Sequence, residues 1–224
     1  MKLLRTARDP WSALTHLAGV GAAVVGLLFL VLEAGSDAVR LIGALSFGVS
    51  LVTLFAASTA YHYFDLGPTA NGKLRRLDHA AIYLLIAGTY IPSLLHLLSG
   101  FWRISMLALV VVLAVAGVLF KMLWFNTSSK AGAVLYVAMG WLIVLAGTEI
   151  WPVITAQQAT LLVGGGLIYT VGAIVYALKW PDPWPEHFGS HEVWHLFVLG
   201  GAAAHYFFVF DLVGGPYPPF GAVF

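Results

Sequence analysis

Seven stretches of this chain run for more than sixteen residues without an Asp, Glu, Lys or Arg: 10–32, 41–64, 79–102, 104–120, 131–148, 150–178 and 193–210. A helix rises 1.5 Å per residue, so crossing the hydrocarbon core of a bilayer takes roughly 17–25 predominantly apolar residues. Each run supplies one crossing, and the expected fold class is all-α: a seven-transmembrane helix bundle forming a single domain over 1–224. Composition supports this. Hydrophobic residues make up 60% of the chain and charged residues 9%, with a mean hydropathy of +0.90, against about a quarter charged in ordinary soluble domains. The first run follows Lys2, Arg5 and Arg8 and superficially resembles a secretion signal. Its length, its lack of a small-x-small cleavage site and the six spans after it mark it as a retained helix.

Cationic residues set the expected orientation. With the N-terminus in the cytoplasm, Lys2, Arg5, Arg8, Lys73, Arg75, Arg76, Lys121, Lys130 and Lys179 lie inside and only Arg40 and Arg103 lie outside. Nine against two is a positive-inside bias, placing the N-terminus in the cytoplasm and the C-terminus outside. The net charge of +1 and the lack of a basic run give nucleic acid no purchase. With no cysteine, thiolate nucleophiles, iron–sulfur clusters and thiolate zinc sites are excluded, so any metal falls to His, Asp or Glu.

The expected helices cover about 11–32, 41–63, 77 or 78 to 96, 102–125, 130–149, 156–178 and 191–211. Gly19, Gly21 and Gly26 in the first and Gly164-Gly165-Gly166 in the sixth suit close helix packing, and Pro92 suggests a kink in the third. A polar loop holding Lys73, Arg75 and Arg76 is expected before the third span. A stiff loop, Trp180-Pro181-Asp182-Pro183-Trp184-Pro185, is expected before the seventh.

Crossing parity then gathers the chemistry. The end of span two, the start of span three and the start of span seven all reach one leaflet, which brings His62, Asp78, His191 and His195 to a common depth. His191 and His195 are four residues apart, one turn above each other on one helix face, and Ser58 shares a face with His62. Charged groups at a helix centre cost about 2.5–3.5 kcal/mol and are usually paired or functional. Three histidines and a carboxylate suit Zn2+, whose catalytic sites hold three protein ligands and leave a fourth position open. His62, His191 and His195 are the expected metal ligands. Asp78 would hold the metal water or bind directly, with catalytic support from Ser58. His16, His79 and His187 read as interfacial, and His96 and His205 as packed within the outer half. His191-Glu192-x-x-His195 also matches H-E-x-x-H, in which the glutamate is a protease general base. The metzincin extension is absent, however, and Glu192 has a plainer place in a helix's first turn, with Ser190 as its cap. Axial haem ligation is disfavoured because His191 and His195 point the same way.

In combination, Ser58-x-x-x-His62, Asp78 and His191-x-x-x-His195 resemble the progestin-and-adipoQ-receptor family, and within it the bacterial haemolysin III-like branch. Leu14-Thr15-His16 and the Ala-Gly-Thr-Tyr-Ile-Pro run at 87–92 resemble that family too. The resemblance implies a bacterial plasma-membrane protein with zinc on His62, His191 and His195, Asp78 holding the zinc water and Ser58 nearby. Family members and their ceramidase relatives suggest hydrolysis of lipid amides, with membrane lipid as partner. The stretch before the first span is short for the receptor branch. The functional classes left open are a zinc-dependent hydrolase of lipid amides or esters, a receptor-like regulator with structural zinc, and a pore of haemolysin type. The pore finds few ionisable residues in the outer half to line it.

Overall fold

The computed structural model describes residues 7–123 and 129–215. Its helices are α1 (Pro10–Ala34), α2 (Ala38–Tyr63), α3 (Pro68–Leu97), α4 (Gly100–Leu123), α5 (Ser129–Gly140), α6 (Gly147–Ile150), α7 (Ala156–Leu178) and α8 (Ser190–Gly214), with a 3-10 segment, Trp141–Ala146, between α5 and α6. Seven helical stretches are long and apolar enough to span a membrane, the fifth of them Gly132–Ile150. Apart from an isolated bridge between Trp184 and Phe188, the regular structure among the described residues is helical.

Local chemistry sets most ends. Pro10 and Pro68 occupy first-turn positions, where a missing N–H costs nothing. Asp37 accepts from the Val39 and Arg40 amides at 2.9 Å, and Thr155 and Gln158 form a capping box. Lys179, in the left-handed region with φ 55°, closes α7. Three sequence expectations change. The stretch holding Lys73, Arg75 and Arg76 is the first part of α3 rather than a loop, started by Pro68. The cap of α8 is Gly189 rather than Ser190. The fifth span is broken in its middle, for a tertiary reason: the Tyr90 hydroxyl accepts from the Ile143 amide at 2.8 Å and lies 2.8 Å from the Gly140 carbonyl, to which it donates. Those bonds replace helical ones, leaving a 3-10 turn flanked by glycines. The expected end of the fourth span at 124–125 lies outside the described residues.

The helices enclose two cores. One gathers Ala23 and Leu30 of α1, Phe47, Leu51 and Phe55 of α2, Leu85 of α3, and Val198, Phe208 and Val209 of α8. The other gathers Tyr83, Tyr90 and Leu94 of α3, Met106 and Val110 of α4, and Met139, Ala146 and Ile150 around the broken span. Helix α3 is the wall common to both. Its Pro92 cannot donate to the backbone; the neighbouring Thr89 and Ser93 hydroxyls donate to the Leu85 and Thr89 carbonyls at 2.8 and 3.0 Å.

Lipid tails are as apolar as leucine, so helix association here rests on close packing rather than on expulsion of water. The tightest approach is at Gly88, where a Cβ would lie 2.6 Å from the Ser46 backbone oxygen. At Gly21 nothing lies within 4 Å, so of the glycines expected to pack in α1 this one faces outward. Gly88→Ala is expected to destabilise the α2–α3 pair by about 1–3 kcal/mol, seen as a lower thermal midpoint in detergent. Gly21→Ala should leave the midpoint unchanged or slightly higher.

Candidate metal centre

The site begins where α1 meets the end of α2. The last carbonyls of a helix have no partner within it, and here two are met by the residues preceding α1: Asp9 donates its amide to the His62 carbonyl at 2.9 Å and Arg8 its amide to that of Tyr63 at 3.2 Å. The Arg8 guanidinium also lies 4.2 Å over the Tyr61 ring. This strap puts the Asp9 carboxylate 3.0 Å from His62 Nδ1, where it takes that ring's N–H and leaves Nε2 bare. The His62 hydrogen bond is the largest influence holding the Asp9 carboxyl below its usual range, against the desolvation of its part-buried position, and Arg8 assists.

The start of α8 supplies the other two rings. His191 and His195 fall on one face as their spacing requires, with ring centroids 4.8 Å apart. His191 Nε2 stands 3.3 Å from His62 Nε2. His195 Nδ1 lies 3.4 Å from Thr15 Oγ1. The Thr15 proton is already directed to the Trp11 and Ser12 carbonyls, each at 3.0 Å, so its oxygen is left to accept from the ring and His195 Nε2 stays bare. His62, His191 and His195 thus offer one nitrogen each, all within 4.8 Å of one another. The three residues chosen as ligands converge in a donor set that could hold a metal ion.

Asp78 and Ser58 lie beside them. His16 Nδ1 is 2.7 Å from Ser58 Oγ, and Ser58 and Asp78 line the same cavity. His16 is not interfacial. It is 3% exposed and stacks on His195 with ring centroids 3.7 Å apart and planes 9° off parallel. His79, also expected at the interface, is half-buried and lines the adjoining cavity. His187 is exposed and outside α8. His96 and His205 are packed within the protein, bonded to the Pro92 and Leu162 carbonyls at 2.7 and 3.2 Å.

Both carboxylate oxygens of Glu192 are engaged away from the three histidines. One of its carboxylate oxygens accepts from Ser12 Oγ at 2.7 Å and the other from the Gly189 amide at 2.8 Å. It ties the starts of α1 and α8 together and is absent from the cavity wall.

A cavity of about 400 Å³ opens from His191, His195, Ser58 and Asp78 and runs between the two cores to His205 and Ile154. Its wall is mostly apolar, with Ile82, Ile86, Val137 and Val198 among its residues. Val144 in the 3-10 segment and Val163 of α7 both line the cavity and are exposed, so the cavity is open beside the broken span and α7.

Sequence reasoning missed Asp9, Ser12 and His16. Ser12, His16, Gly19, Ala23, Gly26 and Leu30 recur at three- and four-residue steps along the buried face of α1, a periodicity that could have drawn Ser12 and His16 into the site. No spacing rule points to Asp9, because its partner is 53 residues away.

Comparison with known proteins agrees with this architecture. The family model described as Haemolysin-III related matches residues 5–206. The chain belongs to that family. It is 36% identical over 200 residues to Hemolysin-3 of Bacillus cereus, covering 88% of each chain. More distant relatives are the monocyte to macrophage differentiation factor of Homo sapiens, 28% identical over 86% of this chain and 79% of the relative, and the adiponectin receptor protein of Drosophila melanogaster. The latter is 26% identical over 86% of this chain and 48% of the relative. This haemolysin III-like chain is therefore an integral membrane protein of the branch related to the adiponectin receptors.

A carboxylate on a ligating imidazole orients the ring and raises its basicity, and removing one typically costs 10–100-fold in metal affinity. Asp9→Asn is expected to weaken Co2+ binding by about that factor in chelator competition, with helix content unchanged. Because the folded pKa of Asp9 is depressed, its contribution to stability is present above the unfolded carboxylate pKa. It is lost as pH falls through the folded value.

Proposed function

We propose that this haemolysin III-like protein is a zinc-dependent hydrolase of lipid amides or esters, working in the cytoplasmic leaflet of a bacterial plasma membrane with its N-terminus inside. The single observation that carries the proposal is the apolar cavity of about 400 Å³ ending on His191, His195 and Asp78. A metal with a purely structural role needs no substrate-sized space beside it, whereas a hydrolase of acyl chains does.

The donor set suits zinc. Three imidazoles with no thiolate match a catalytic zinc site that keeps one position open, and Zn–N bonds of 2.0–2.1 Å give a tetrahedral edge of about 3.3–3.4 Å. The His62–His191 nitrogen separation of 3.3 Å lies in that range. The orientation is supported by where the cations fall. Arg8 and Arg75 sit near the triad, while Arg40 donates to the Gly215 carbonyl and Arg103 to that of Leu98, at the opposite end of the bundle.

A zinc ion held there would supply a polarised substrate carbonyl and an acidified water. The rest falls to the chain itself. Asp9 and Thr15 hold the His62 and His195 rings with their free nitrogens turned inward. Asp78, which shares the cavity wall with Ser58 and His16, takes the proton of the attacking water on a carboxylate oxygen and returns it to the departing amine or alkoxide. The cavity wall keeps the acyl chain beside His191 and His195 and excludes bulk water.

Purified protein is expected to carry about one zinc per chain by elemental analysis, and His191→Ala close to none. Wild type should release fatty acid from short-chain ceramides or acyl esters, with Asp78→Ala slower by about 10²–10⁴-fold. Zinc retained without turnover on any lipid tested would favour the receptor-like reading that the Drosophila relative's name suggests.

A further inference from the structure

Cutting a neutral lipid requires no basic side chain in the substrate cavity, yet two line it at the metal end. Lys121, in the last turn of α4, is 4% exposed and lines the cavity. Its Nζ would stand 3.0 Å from a Cβ at position 132, so Gly132 lets the ammonium lie close against α5. It also lies 5.7 Å from the Tyr136 ring centroid. Arg75, three residues before Asp78 on α3, lines the same space. It is near enough to Lys121, Asp78 and His191 to act on each electrostatically. Asp78 is the one acidic side chain among the described residues of the cavity wall. Arg75 is exposed, whereas a buried ionisable side chain such as Lys121 is costly at membrane depth and marks a ligand or ion path.

We propose that Arg75 and Lys121 form a head-group site for phosphate-bearing lipids. The acyl chain fills the apolar part of the cavity, the ester or amide carbonyl lies near His191 and His195, and the phosphate oxygens accept from the two cations. A guanidinium matches phosphate oxygens in a two-bonded fork, and an ammonium adds a point charge beside it. This names the substrate class of the proposed hydrolase and rests on that reading for which bond is cut. Binding itself requires no turnover.

The test uses the full chain in neutral detergent, with lipid binding read by native mass spectrometry. The probes are phosphatidylglycerol, diacylglycerol with the same two chains, oleate and inorganic phosphate. Wild type is expected to bind phosphatidylglycerol at least about ten-fold more tightly than the diacylglycerol. Lys121→Met and Arg75→Gln should each remove most of that preference, and Lys121→Arg should keep it. The same preference in His191→Ala, which should bind little metal, would uphold the head-group site whether or not the protein proves to be a hydrolase. Equal affinity of wild type for the two lipids overturns the proposal, as does a preference that both charge-removing variants retain. Oleate bound as tightly as phosphatidylglycerol overturns the phosphate assignment. Inorganic phosphate bound as tightly as the phospholipid overturns the role of the chain.

Discussion

Inside a bilayer a carbonyl or an imidazole has no water to fall back on, and every polar group must find its partner in protein. The junction of α1 with α2 is built on that constraint. The carbonyls left over at the end of α2 are taken by the Arg8 and Asp9 amides, and Asp9 also fixes the ring of His62 through its carboxylate. Satisfying a helix end and aiming a ligand are one act here. Without the strap, two carbonyls at the end of α2 and an imidazole N–H would lose these partners. The site is accordingly built from backbone that the fold had to pair in any case.

The start of α8 repeats the pattern with different groups. Glu192 closes the helix cap through the Gly189 amide and reaches across to Ser12, so the turn that carries His191 and His195 is locked to the turn that carries Thr15 and His16. His195 is then held from two sides, by the Thr15 hydroxyl and by the stacked ring of His16. Such support confines a donor atom to a small volume, which is what metal binding needs from the protein.

The cavity has a separate origin. Helix α3 belongs to two cores, and the broken fifth span fills the second without sealing it against α7. Tyr90 causes the break by taking backbone bonds that a continuous helix would have kept. A tyrosine on one helix thus shapes the space beside the histidines of another. Val144 and Val163, both exposed, border that space.

Much of this was legible in the residues alone. Uncharged length determined the seven spans, and crossing parity with four-residue spacing brought His62, His191, His195, Asp78 and Ser58 to one end. Both rules are one-dimensional: a bilayer has a fixed thickness, and a helix a fixed turn. Charge alone starts α3 too late, because Lys73, Arg75 and Arg76 lie within a helix that opens at Pro68. Asp9 and the contact of Glu192 with Ser12 were out of reach for another reason. Each depends on which side chain from a distant helix arrives within about 3 Å, where hydrogen bonds form, and distance across a bundle is not written in sequence separation. The chain by itself determined that it crosses a membrane and at what depth its histidines lie. Only the packed helices decided which nitrogens turn inward, which carboxylate holds them and where a cavity remains, because those depend on contacts between surfaces that exist only once the bundle is assembled.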